Sequence, residues 1–95
     1  MLALTSCSLR GRTVEQWIPE AGFVPDEATA VRIAEAVFLP IYGETQLAGE
    51  RPFRASLKDG IWYVTGTMPP MTLGGTATAE IARRDGRILR VIHHQ

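Results

Sequence analysis

The chain carries a single cysteine, Cys7, so no internal disulfide framework holds it together. No apolar run approaches the roughly 18 residues that a membrane-spanning helix needs. Formal net charge is zero, which removes the broad positive field on which nucleic-acid binding depends, and nucleic acid is not expected as a partner. Histidine is confined to His93 and His94. Adjacent residues on a strand point to opposite faces, so this pair is not expected to clamp one metal ion, and no cofactor is expected either.

Catalytic machinery is equally scarce. Cys7 stands at the loose end of the chain without a positioned base to activate it. Asp59 and Asp85 belong to turns and Asp26 to a helix cap, while Glu20, Glu35, Glu44, Glu50 and Glu80 show no spacing that would converge two carboxylates. Gly74-Gly75 precedes a strand rather than a helix and no lysine follows it, so it reads as a bend and not as a phosphate cradle. The expectation is a protein that is not an enzyme.

What remains is the composition of an ordinary globular domain. The chain has 95 residues, 45% apolar and 21% charged. At that size one core forms, burying roughly 60 to 65% of the extended chain's surface. Charge is polarised along the sequence: residues 1–50 hold three basic and seven acidic side chains, and residues 51–95 hold seven and three. Such asymmetry arises when a helix layer and a sheet layer neutralise each other, and it also marks binding faces.

Residues 8–19 lack a sustained period, and residues 1–19 are read apart from the domain at 20–95. Leu4-Thr5-Ser6-Cys7 is similar to a bacterial lipobox, in which small residues precede a cysteine that is lipidated. Six residues precede Cys7, fewer than the about 7 to 15 of an apolar signal core. The expectation is therefore a signal-peptide remnant, with Cys7 the lipid attachment point, the following residues a tether, and a periplasmic domain touching the membrane only through that anchor. Were Met1 the true start, the protein would be cytoplasmic.

The clearest helix follows Pro25. Asp26 caps it, Glu27 suits the positive end of its dipole, and Ala30, Ile33, Ala34, Val37 and Phe38 recur at helical spacing. Arg32 and Glu35 fall off that stripe into solvent. Pro40 is expected to end or kink the helix, and residues 44–50 read as a polar loop.

Two Asp-Gly hairpins account for the rest. Around Asp59-Gly60, a two-residue turn pairs Leu57 with Trp62 and Ala55 with Val64, whereas a bulged turn would put Ile61 and Tyr63 on the apolar side. Around Asp85-Gly86, a three-residue loop with a glycine bulge pairs Ile81 with Leu89, Ala79 with Val91, and Glu80 with Arg90. The predicted fold class is α+β: one main N-terminal helix followed by four antiparallel strands.

Two surfaces are candidates for contact with a partner. Met68, Met71 and Leu73 lie in a connection that Pro69-Pro70 keeps out of the strands, and it either makes a contact loop or folds back over the core. Arg83, Arg84, Arg87 and Arg90 make a basic end to the second hairpin, either a solvated edge or a binding patch.

Six pieces in order carry a resemblance. Phe23-Val24-Pro25-Asp26-Glu27, the helix end Ala34-Glu35-Ala36-Val37-Phe38-Leu39-Pro40-Ile41-Tyr42-Gly43, Arg51-Pro52-Phe53, Ile61-Trp62-Tyr63-Val64 with Gly66-Thr67, Gly74-Gly75, and Asp85 to Val91 together resemble the bacterial immunity-protein family with a nuclear-transport-factor-2-like fold. The likeness spans residues 22–93. It implies an α+β, cone-like fold whose curved four-stranded antiparallel sheet packs on the helix, and a cognate protein toxin as partner, neutralised by occlusion of its active site or entry path, with no catalytic residue to carry over. Members with signal sequences fit a lipid-anchored form. Two other readings stand beside it: an envelope lipoprotein with a propeptide-like domain, structural or protease-inhibiting, and an isomerase or dehydratase of the same cone-like fold, which would need an Asp or His lining the cone.

Overall fold

Pro25 and Asp26 set where the helix layer begins. In the computed structural model, which describes residues 18–68 and 75–93, Asp26 is extended and its carboxylate accepts from the Thr29 amide at 2.8 Å and from the Thr29 hydroxyl at 2.7 Å. These bonds hold its carboxyl below the ordinary range and start helix α1, Glu27–Tyr42. The predicted stripe faces inward: Ala30, Ala34 and Phe38 are buried, with Ile33 packed against them.

Three expectations about this layer are corrected. Pro40 lies inside α1, which runs on to Tyr42 and stops where the Gly43 amide returns to the Leu39 carbonyl at 2.9 Å. Pro40 has no amide to offer the Ala36 carbonyl, and the helix continues past that missing bond through Ile41 and Tyr42. Residues 44–50 are likewise helical, as α2, Glu44–Glu50, anchored by the buried Leu47. Glu35 is half-buried rather than solvated, because Arg51 folds back onto it with Nε 3.0 Å from Oε1.

Four antiparallel strands follow in the order of the sequence: β1 (Arg54–Lys58), β2 (Ile61–Thr65), β3 (Ala77–Ala82) and β4 (Ile88–His93). The first reversal is the two-residue turn. Lys58 faces Ile61, Leu57 faces Trp62 and Ala55 faces Val64, with Asp59 at φ 52° and Gly60 at φ 77°. That pair of positive angles matches the strand twist and is what Asp-Gly supplies.

The second reversal is longer than expected. The Ala82 amide donates to the Arg87 carbonyl at 2.9 Å, so Arg83, Arg84, Asp85 and Gly86 all lie in the connection. Ile81 then faces Ile88 instead of Leu89, and Leu89 is left as an extra residue before Glu80 meets Arg90 and Ala79 meets Val91. One more residue in the turn, absorbed by a bulge at Leu89, restores the register that packs Val91 against the core.

Alternation sorts the two faces. Trp62, Val64, Ala77, Ala79 and Ile81 are buried with Val24, Phe53 and the helix stripe. Phe38 sits at the centre, its ring 5.4 Å from Phe53 and 5.9 Å from Tyr42. The helix layer lies over β1 to β3. At the outer end of β1 its cover runs out, and Leu57 is 45% exposed although it belongs to the apolar side. The outer face carries the Glu80–Arg90 pair at 3.7 Å.

Candidate functional site

The end of the sheet away from the two reversals is closed by Glu50, the last residue of α2 and only 8% exposed. Its Oε1 accepts from the Ala77 amide at 2.8 Å, and its Oε2 accepts from Gln46 Nε2 at 3.2 Å and meets His93 Nε2 at 3.1 Å. Its backbone carbonyl takes the Thr67 amide at 2.8 Å. Burial pushes the carboxyl upward, but the Ala77 amide, His93 and Gln46 outweigh it and hold the group below its ordinary range. The His93 ring also packs 5.4 Å from Tyr42.

A Glu–His pair inside such a fold has the composition of an acid–base dyad. Here both carboxylate oxygens are already engaged by donors from three separate segments, so Glu50 acts as a fastener between α2, β3 and β4. Two exposed clasps assist on the helix side. Arg51 grips Glu44 at 2.7 and 3.1 Å, and Arg54 meets Glu27 at 2.8 Å while Glu27 also accepts the Ala55 amide at 2.9 Å. Each guanidinium lowers its carboxylate partner's pKa.

The turn end of the sheet is built differently. Residues 22–24 run along the second reversal, the Phe23 amide donating to the Arg84 carbonyl at 2.9 Å and the Val24 amide to the Arg83 carbonyl at 3.0 Å. Gly22 has φ 86°, and a methyl group there would run into the Arg83 carbonyl. Only glycine fits this approach. The buried Val24 fixes the segment from below by accepting the Trp62 Nε1–H at 2.7 Å.

Between that segment and the turn lies a cleft of about 360 Å³, lined by Ile18, Pro19, Glu20, Gly22, Arg83 and Arg84. Arg83 Nε is buried with no hydrogen-bond acceptor among the described residues. On the segments that flank the second reversal, Phe23, Ile88 and Leu89 are 39%, 38% and 41% exposed. None of the ion pairs among the described residues involves Arg83, Arg84 or Arg87.

The structure separates the residues that the sequence offers for partner contact. Met68 is exposed beyond β2, at the Glu50 end. Arg84 and Arg87 belong to the opposite end of the sheet, a strand length of five to six residues away, or roughly 17 to 20 Å. Met71, Leu73, Cys7 and His94 lie outside the described residues. Glu50 and the cleft beside Arg83 were not picked out from sequence, since their partners come from elements far apart in the chain. Among the described residues, no group of three or more His, Cys, Asp or Glu side chains is arranged to hold a metal, and no helix is long and apolar enough to cross a membrane.

Comparison with known proteins gives one family. A family model described as "NTF2 fold immunity protein" matches residues 29–95. No curated protein and no solved structure matches the chain.

Proposed function

The chain belongs to the family of NTF2-fold immunity proteins, and from that premise we propose that it neutralises a cognate bacterial toxin by stoichiometric binding, covering the toxin's active site or entry path and turning over nothing. The observation that carries this reading is the family match over residues 29–95, which takes in α1 from its first turn and the whole sheet. The state of Glu50 supports it. A carboxylate whose oxygens are engaged by Ala77, Gln46 and His93 is poorly placed to take a proton from a substrate.

Leu4-Thr5-Ser6-Cys7 supports a further part of the proposal, a lipid anchor at Cys7 that holds the domain at the periplasmic face where an incoming toxin arrives. Mass spectrometry of the native protein from the membrane fraction tests it. A diacylated Cys7 is expected, and an unmodified thiol there would sink the anchor.

The binding role is tested by co-expressing and co-purifying the full chain with the toxin-like product encoded beside it, then titrating the pair by calorimetry. One-to-one binding that also blocks toxicity is expected. A folded chain that neither binds nor protects would reject the role and favour an envelope lipoprotein with a structural or protease-inhibiting domain.

A further inference from the structure

Three observations meet at the turn end of the sheet. The first is exposed apolar surface on both segments that flank the second reversal: Phe23, on the segment that hydrogen-bonds along it, and Ile88 and Leu89, at the start of β4. The second is its cationic rim: Arg84 and Arg87 are exposed and, among the described residues, form no ion pair. The third is the cleft, which Arg83 and Arg84 line opposite Ile18, Pro19 and Glu20.

An apolar centre with arginines around it is the anatomy of a protein-binding patch, because arginine keeps its stacking and forked hydrogen bonding when water is excluded. We infer that this end of the sheet is the toxin-docking face, and that a carboxylate carried by an acidic surface of the toxin enters the cleft beside Arg83. The inference rests on the immunity reading and names the chemistry of its partner. Nucleic acid fits less well, since Asp59 and Asp85 interrupt the positive field and, among the described residues, Phe23 is the one exposed aromatic at this end.

The test uses the full chain and its toxin, with Arg84→Glu/Arg87→Glu as a double reversal at exposed positions, Arg83→Gln in the cleft, and Met68→Asp at the far end. Reversal is expected to weaken binding on the order of 30-fold or more, because like charges then face each other across the interface. Arg83→Gln is expected to cost about tenfold, and Met68→Asp to leave affinity unchanged. A measurement without variants runs alongside: the association rate of the native chain should fall about tenfold between roughly 50 and 500 mM salt.

If the native chain binds its toxin and the double reversal, still folded by circular dichroism, binds equally well, the docking face is wrong while the immunity role stands. The docking face is equally overturned if Met68→Asp alone abolishes binding, or if the reversal affects only association with phosphatidylglycerol vesicles or duplex DNA. Absence of any binding by the native chain overturns both the face and the role.

Discussion

The indole nitrogen of Trp62, on the second strand, donates to the main-chain carbonyl of Val24 at 2.7 Å across 38 positions of sequence. Both residues are buried, so this bond fixes the segment 22–24 against the sheet from beneath while the Arg83 and Arg84 carbonyls fix it from the side. Trp62→Phe keeps an aromatic ring but leaves the Val24 carbonyl without its donor. A loss of about 1 to 3 kcal/mol is expected in urea denaturation, with faster proteolysis before Asp26. Gly22→Ala should loosen the same segment through backbone strain, without touching the indole.

Glu50→Ala strips the Ala77 amide of its acceptor in a buried setting. The expected destabilisation is about 1 to 3 kcal/mol, and Glu50→Gln, which retains one carbonyl oxygen, should lose less. A double-mutant cycle with His93→Ala isolates the pair. If the two losses simply add, the 3.1 Å contact contributes nothing and the fastener is the amide alone.

Because its folded-state pKa lies below the ordinary value of 4.5, Glu50 contributes stability that is fully present above that pH and is lost as pH falls through the folded value. Native protein should therefore lose stability on acidification below about 4.5 more steeply than Glu50→Gln does. Urea midpoints from pH 7 down to about 3 compare the two slopes. Parallel curves would mean that other carboxylates, such as Asp26, Glu27 and Glu44, account for the whole acid limb.

Two leucines of the helix layer provide a contrast. Leu47 of the second helix is fully buried and Leu39 of the first is exposed. Leu47→Ala is expected to cost about 2 to 5 kcal/mol, whereas Leu39→Ala should stay within about 0.5 kcal/mol. Equal effects would argue that residues 44–50 are not anchored as a helix.

Where order is set by neighbours in sequence, it was legible. Pro25-Asp26 announces the first helix because cap and first turn are adjacent, and Asp59-Gly60 announces its turn because two positive φ angles are a local demand. The second helix was missed because seven residues hold one buried apolar anchor, Leu47, too few to show a period. Ile88 and Leu89 are both apolar, so alternation alone does not say which of them is the extra residue. Glu50 and His93 are 43 positions apart, and no local pattern announces that they meet. The family likeness was legible because short pieces recur in a fixed order, whereas the cleft beside Arg83 depends on how a segment from one end of the domain lies against a turn from the other.

The extra residue at Leu89 has a bearing on what the last strand presents to solvent. A regular edge offers an unbroken row of amides and carbonyls onto which a second strand can zip, and the fourth strand is such an edge, with exposed apolar side chains at its start. The bulge breaks the spacing of that row near its beginning and twists the strand away from a flat template. Side-chain chemistry at the turn end is thus left open to a foreign surface while main-chain pairing is obstructed. At this edge the side chains stay accessible while a second strand finds no regular row to pair with.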